Sequence, residues 1–130
     1  AAGADFNAGV GGVPVLFFLI ISITAAFGCL GIAAGARSGS SEAVQGLFPV
    51  LFAFFFFSSM AMPRNLIEQD WFRTVATANP VSYMIEGLRS LFIDGFDGGA
   101  LWPAFAISGA MIAIFIVLAA HNVNSRLVAR

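Results

Sequence analysis

Three stretches without a single charged residue divide the chain, at residues 13–36, 43–62 and 100–120. Each has about the 20 apolar residues that carry an α-helix across roughly 30 Å of hydrocarbon. The stretch between the second and third, residues 63–99, reads differently. It holds eight charges, each costing about 2.5–3.5 kcal/mol at the centre of a bilayer. Leu66, Ile67, Trp71, Phe72 and Val75 nevertheless recur at helical spacing, with Glu68, Asp70 and Arg73 between them. This predicts a short helix over 66–77. Val81, Met84, Ile85, Leu88, Leu91 and Phe92 form a second apolar stripe, and Glu86, Arg89 and Ser90 fall opposite. Asn79 suits the N-cap and Pro80 the first helical position, so a helix over 80–93 is predicted, closed by Asp94-Gly95. The fold class is therefore all-α integral membrane: three transmembrane helices plus a pair of short amphipathic or re-entrant helices before the last span.

The flanking pattern adds detail. Residues 1–12, with four Gly, read as a flexible loop outside the bilayer. Gly28, Gly31 and Gly35 thin one side of the first span, which lets another helix approach. Arg37 to Glu42 is a tight polar turn, in which Ser40 or Ser41 caps the next helix and Glu42 complements its N-terminus. Gly46 and Pro49 invite an early bend in the second span. Phe54 to Phe57 cover every side of that helix, so some of them face lipid. Trp102 sits at the mouth of the third span as an interfacial anchor, and residues 121–130 form a polar tail.

Composition sharpens the class. The 130 residues are 59% hydrophobic and 10% charged, with no Lys. A soluble chain this small has no interior large enough for that much apolar surface. Net charge is −1 and the six Arg are scattered, so nucleic acid is excluded as a partner. The single Cys29 reads as a small buried apolar side chain. The chain begins without Met and without a basic segment ahead of its first apolar run, which reads as a processed chain or a fragment rather than a signal peptide.

Candidate chemistry is sparse. There is no Walker loop, no dinucleotide fingerprint and no second His to join His121, which reads as an interfacial residue. No residue is assigned a catalytic or metal-binding role. Phe48, Phe52, Phe55 and Ser59 lie along one helical stripe. It reads either as ordinary packing, the simpler account, or as the lining of a substrate pathway for a hydrophobic compound. Glu86 and Arg89, spaced i, i+3, are positioned to pair with each other or with a neighbour. Arg37, Arg126 and Arg130 would share one side of the membrane, and the positive-inside bias makes that side cytoplasmic. The C-terminus is then cytoplasmic and the amphipathic pair lies on the outer face.

Asn79, Pro80, Val81, Ser82, Tyr83 and Arg89, with Glu86-Gly87-Leu88 between, resemble the signature near the C-terminus of type-2 ATP-binding-cassette (ABC) exporter permeases, the branch that includes bacterial drug and antibiotic efflux permeases. Val81 departs mildly from the commoner Leu or Ile. The turn holding Ala36, Arg37, Ser41, Glu42, Ala43, Val44 and Gln45 resembles the family's short cytoplasmic turn between its fourth and fifth spans. The resemblance covers about 13–120 and implies the C-terminal half of a six-span permease in the bacterial inner membrane. It implies a second permease copy and an ABC ATPase subunit as partners. ATP and magnesium would reside on that ATPase, with no cofactor bound by this chain. The implied function is ATP-driven export of a hydrophobic drug-like, lipid or glycan-type substrate. Two other classes compete. A structural anchor of a multi-protein complex has no need of two amphipathic helices before its last span. An intramembrane lipid enzyme would need more polar groups at matched depth than Ser22, Thr24, Ser58, Ser59 and Ser108 supply.

Overall fold

The computed structural model describes residues 7–128, and every regular element among them is helical. The first, α1, runs Gly9–Ser38, and the last, α6, runs Gly98–Val128. Both are long and apolar enough to cross a membrane, and only 11% of each apolar stretch is buried. The core helix of a soluble protein would be mostly covered. Here Phe17, Phe18, Ile21, Ile116 and Val117 are turned outward instead, as lipid requires.

Both helices overrun the lengths predicted for them. Residues 9–12 belong to α1, so that part of the expected N-terminal loop is helix. Asn7 and Ala8 are tied down by bonds to the far end of the connector. The Asn7 and Ala8 N–H groups donate to the Phe92 and Leu91 carbonyls at 3.3 and 3.1 Å. Residues 1–6 lie outside the described residues. At the other end α6 continues through most of the expected polar tail, and Arg130 lies outside the described residues.

α1 and α6 run parallel and pair from their first turns to Ala33 and Asn122. Phe18 meets Phe105 with ring centroids 5.8 Å apart, and further on the Asn122 amide donates to the Ala33 carbonyl at 3.4 Å. The buried positions of α1 are Gly12, Leu19, Ala26 and Ala33, seven residues apart. In α6, Leu101, Ala104 and Ser108 are buried, spaced three and four apart. This is the seam of a left-handed pair of helices. Between apolar helices in lipid the hydrophobic effect adds little, so small residues that permit close contact make the seam. The expected small-residue side at Gly28 and Gly31 is not part of it, since a Cβ placed on either would meet no neighbouring element within 4 Å; one placed on Gly35 would lie 3.5 Å from a Val44 methyl.

Two parallel helices require the chain to return between them, and it does so in pieces. After α1, Gly39 takes a left-handed φ of 70° and donates to the Gly35 carbonyl at 2.8 Å. Ser40 then caps α2 (Ser41–Gln45) by accepting from the Ala43 N–H at 3.2 Å. The helix breaks at Gly46, resumes as α3 (Leu47–Phe56) and stops there. Pro49 falls in the first turn of α3, where its missing N–H is harmless. The second apolar stretch is thus not one helix over 43–62. Residues 41–56 would reach about 24 Å even if straight, short of the hydrocarbon thickness.

α3 ends level with the middle of α1, where Phe55 stacks on Phe27 at 5.8 Å. A connector follows, with a 3-10 turn at Arg64–Leu66 and then α4 (Asp70–Ala78). The first amphipathic helix therefore begins at Asp70 rather than at 66. α5 (Pro80–Ile93) has the predicted bounds. It starts beside the end of α3 and packs on α6 and α1 toward their first turns. Its end is closed by Gly95 at φ 85°, whose N–H donates to the Ser90 carbonyl at 2.8 Å.

Candidate functional site

A cluster of polar side chains joins the end of α3 to the start of α5. α3 stops where the chain beyond it finds partners outside the helix. Ser58 and Ser59 follow the four Phe, and their side chains offer the backbone other partners than a continuing helix. The Ser58 hydroxyl donates to the Phe55 carbonyl at 2.5 Å. The Ser59 N–H donates to the Ser82 hydroxyl oxygen at 3.0 Å, and the Ser59 hydroxyl donates to the Ser82 carbonyl at 3.2 Å. Ser59 and Ser82 are both fully buried.

Asn79 joins the two helices from the other side. Its side-chain oxygen accepts from the Val81 N–H at 2.9 Å, which caps α5. Its Nδ2 donates to the Phe54 carbonyl at 2.6 Å, in the last turn of α3. One side chain thus serves an orphan donor of one helix and a carbonyl of another. Arg89, more than two turns along α5, reaches back to the same chain end. Its Nη2 donates to the Ser59 and Met60 carbonyls at 2.7 and 3.1 Å. Beyond the stopped helix these backbone carbonyls have no helical partner, and the guanidinium supplies one.

Glu86 does not pair with Arg89. Its partner is Arg64, which donates from Nε at 2.8 Å and Nη2 at 2.7 Å to the two carboxylate oxygens. The side chains are only 23% and 18% exposed, so this two-pronged pair is stronger than a solvated one. The Arg64 guanidinium also lies over the Tyr83 ring, 4.0 Å from its centroid. The Tyr83 hydroxyl donates to the Thr77 carbonyl at 2.9 Å, which fixes α4 against α5. Asn79, Tyr83, Glu86 and Arg89 therefore all hold residues 54–64 or α4 onto one face of α5. Pro80 opens that helix.

The stripe Phe48, Phe52, Phe55 and Ser59 is split by the structure. Phe48 and Phe52 are exposed, at 72% and 58%, whereas Ser59 is at 0% and occupied by Ser82. Phe55 sits against α1. A different apolar cavity, of about 300 Å³, opens at the junction. Phe27 and Leu30 of α1, Phe54 of α3, Val81 of α5, and Met111 and Phe115 of α6 line it. Pocket residues from four separate helices leave no periodic mark in the sequence. At the opposite end, Arg37 and Glu42 flank the turn into α2. The Glu42 backbone N–H and the Ser40 hydroxyl hold the Glu42 carboxyl below the usual carboxylate range. Among the described residues, no group of three or more His, Cys, Asp or Glu is placed to hold a metal ion.

No curated protein and no solved structure matches this chain. The sequence model of the ABC-2 type transporter family matches residues 2–93, which takes in α1 to α5 and the whole Asn79–Arg89 face. The membrane domain of that family is a transporter permease and not a catalytic domain. This chain belongs to the ABC-2 type transporter family, as part of a membrane permease.

Proposed function

We propose that this chain forms the C-terminal half of a bacterial ABC exporter permease. It moves a hydrophobic drug-like, lipid or glycan-type molecule outward through the inner membrane, and the C-terminus is cytoplasmic. ATP is hydrolysed on a separate ATPase subunit, and a second permease copy completes the pathway. The observation that carries this reading is the interrupted return between α1 and α6. An anchor needs only continuous spans. Two helices that stop against each other, held by side-chain bonds, provide a joint that can be remade when the subunit changes state. The apolar cavity at that joint offers non-directional contact suited to apolar cargo, and the exposed Phe48 and Phe52 extend apolar surface along α3.

In this reading Arg64 and Glu86 are the outer gate, and their two-pronged ion pair is the bond that opening would break. The test is made in the complete transporter reconstituted in vesicles with its ATPase. Replacing both partners, Arg64→Ala with Glu86→Ala, leaves no orphan charge. It is expected to change the rate of ATP-driven export of a hydrophobic dye severalfold while ATPase binding stays intact. Export indistinguishable from the parent would remove the gate role. Absence of any ATP-driven movement in the parent, with a range of apolar cargoes, would favour the anchor.

A further inference from the structure

A second cavity, of about 570 Å³, lies on the polar side of α5 and extends to the start of α6. Its wall carries Arg64, Arg73, Arg89, Glu86, Asp94 and Asp97. Formal charges sum to zero, yet they do not cancel in place. Arg64 and Glu86 neutralise each other. Arg73 donates to the Ile67 carbonyl and has the Asp70 carboxylate 3.9 Å away. Arg89 spends Nη2 on two uncharged carbonyls and has no carboxylate within 4.0 Å among the described residues. Its Nη1 is the one buried side-chain nitrogen or oxygen among them without a hydrogen-bond partner. Asp94 and Asp97 likewise have no cation within 4.0 Å among the described residues. Burying a donor without an acceptor is unfavourable, more so for a charged group, so the Arg89 guanidinium on this wall favours an incoming anion.

The uncompensated charges are also ordered along the helix. Arg89 sits more than a turn inside the end of α5. Asp94 follows that end, and Asp97 stands just ahead of α6, accepting the Gly99 N–H on Oδ1 at 2.8 Å. The positive site is thus deeper along α5 and the negative sites lie at the rim. We propose that this cavity holds the phosphoethanolamine headgroup of a bilayer phospholipid, its phosphate against Arg89 and its ammonium against Asp94 and Asp97. A membrane lipid presents its headgroup charges in that order, phosphate toward the tails and ammonium toward water, in either leaflet. Leu66 and Ile93, exposed at 59% and 58%, form apolar parts of the same wall where the chains would leave. An anionic headgroup without an ammonium would bring negative charge to two unpaired carboxylates. The proposal rests on the membrane placement of α1 and α6 and is independent of transport.

The experiment titrates the purified complete transporter, in mild detergent, with phosphatidylethanolamine or phosphatidylglycerol of identical chains, and counts bound lipid by native mass spectrometry. The parent is expected to retain phosphatidylethanolamine at least about fivefold better, the ratio that about 1 kcal/mol gives. Asp94→Asn with Asp97→Asn is expected to erase that preference. The amide oxygen introduced by the second change would still accept the Gly99 N–H, so α6 starts unchanged. Arg89→Gln is expected to weaken both lipids. Should that variant fail to fold, the aspartate pair still decides. Equal binding of the two lipids by the parent, or a preference that survives the double aspartate variant, would overturn the proposal whatever the transport assay gives.

Discussion

Gly87 of α5 faces Ala104 of α6 so closely that a Cβ placed on the glycine would lie 2.5 Å from the alanine Cβ. The Ala100 carbonyl oxygen would stand 3.3 Å from the same point and Leu19 Cδ2 3.4 Å. Neither the alanine Cβ nor the helix backbone swings aside as a long side chain would. Three helices converge on this glycine, and it sets the distance at which α5 sits on the parallel pair.

Gly87→Ala therefore tests that seating. Helix propensity alone would favour Ala by about 1 kcal/mol. Overpacking a tight contact costs about 1–3 kcal/mol, so a net loss of about 1 kcal/mol is expected. It would be read as a lower melting temperature in detergent. Ala104→Gly in the same chain removes the clashing carbon and is expected to recover most of the loss. A Gly87→Ala variant as stable as the parent would show that α5 does not pack here.

The Arg64–Glu86 pair gives a second measurable term. Hydrogen bonds to charged groups contribute about 1.5–3 kcal/mol when partly buried. Glu86→Gln keeps the shape and loses the charge, so a loss of about 1–2 kcal/mol is expected, together with faster hydrogen exchange across residues 60–67. Exchanging the two residues, Arg64→Glu with Glu86→Arg, is expected to restore part of the loss. A swap no better than the single variants would mean that the pair contributes through packing on Tyr83 alone.

Much of this architecture is legible along the chain, and the parts that are not share a cause. Asn79 and Pro80 announce α5 because capping and ring geometry act locally. The charge-free stretches announce α1 and α6 because lipid imposes length and apolarity together. The early end of α3 is hidden, since Phe54 to Phe57 continue the apolar run past the stop. What ends the helix is Ser59 meeting Ser82, a contact between distant residues. Arg64 as the partner of Glu86 is hidden for the same reason, because i, i+3 spacing points to Arg89. The seam of α1 lies open to view, at Gly12, Leu19, Ala26 and Ala33, but the glycine triplet at 28, 31 and 35 is the louder signal.

Gly95 carries the turn between α5 and α6 at φ 85°, and a Cβ there would lie 3.3 Å from the Asn7 carbonyl oxygen. The same turn is clasped by Asn7, whose side-chain amide donates to the Ile93 carbonyl. Gly95→Ala forces an L-residue into left-handed backbone, at about 1–2 kcal/mol, and crowds the clasp. The expected result is a lower melting temperature and greater proteolysis near Asn7, while Gly98→Ala, where nothing lies within 4 Å, leaves both nearly unchanged.

Asn79 and Arg89 divide the task of closing the stopped end of α3, and their variants should differ in kind. Asn79→Ala removes the α5 cap, worth about 1 kcal/mol, and strips the Phe54 carbonyl of its side-chain donor. Asn79→Asp keeps an oxygen to cap α5 but has no amide to give Phe54. Exchange measured by mass spectrometry should therefore rise around residues 54–58 in both variants, and around 80–83 in Asn79→Ala only. Arg89→Lys retains the charge but loses the planar fork, and is expected to loosen residues 57–62 without affecting 80–83. Equal loosening of both stretches in all three variants would mean that α3 and α5 open as one unit rather than through two separable fastenings.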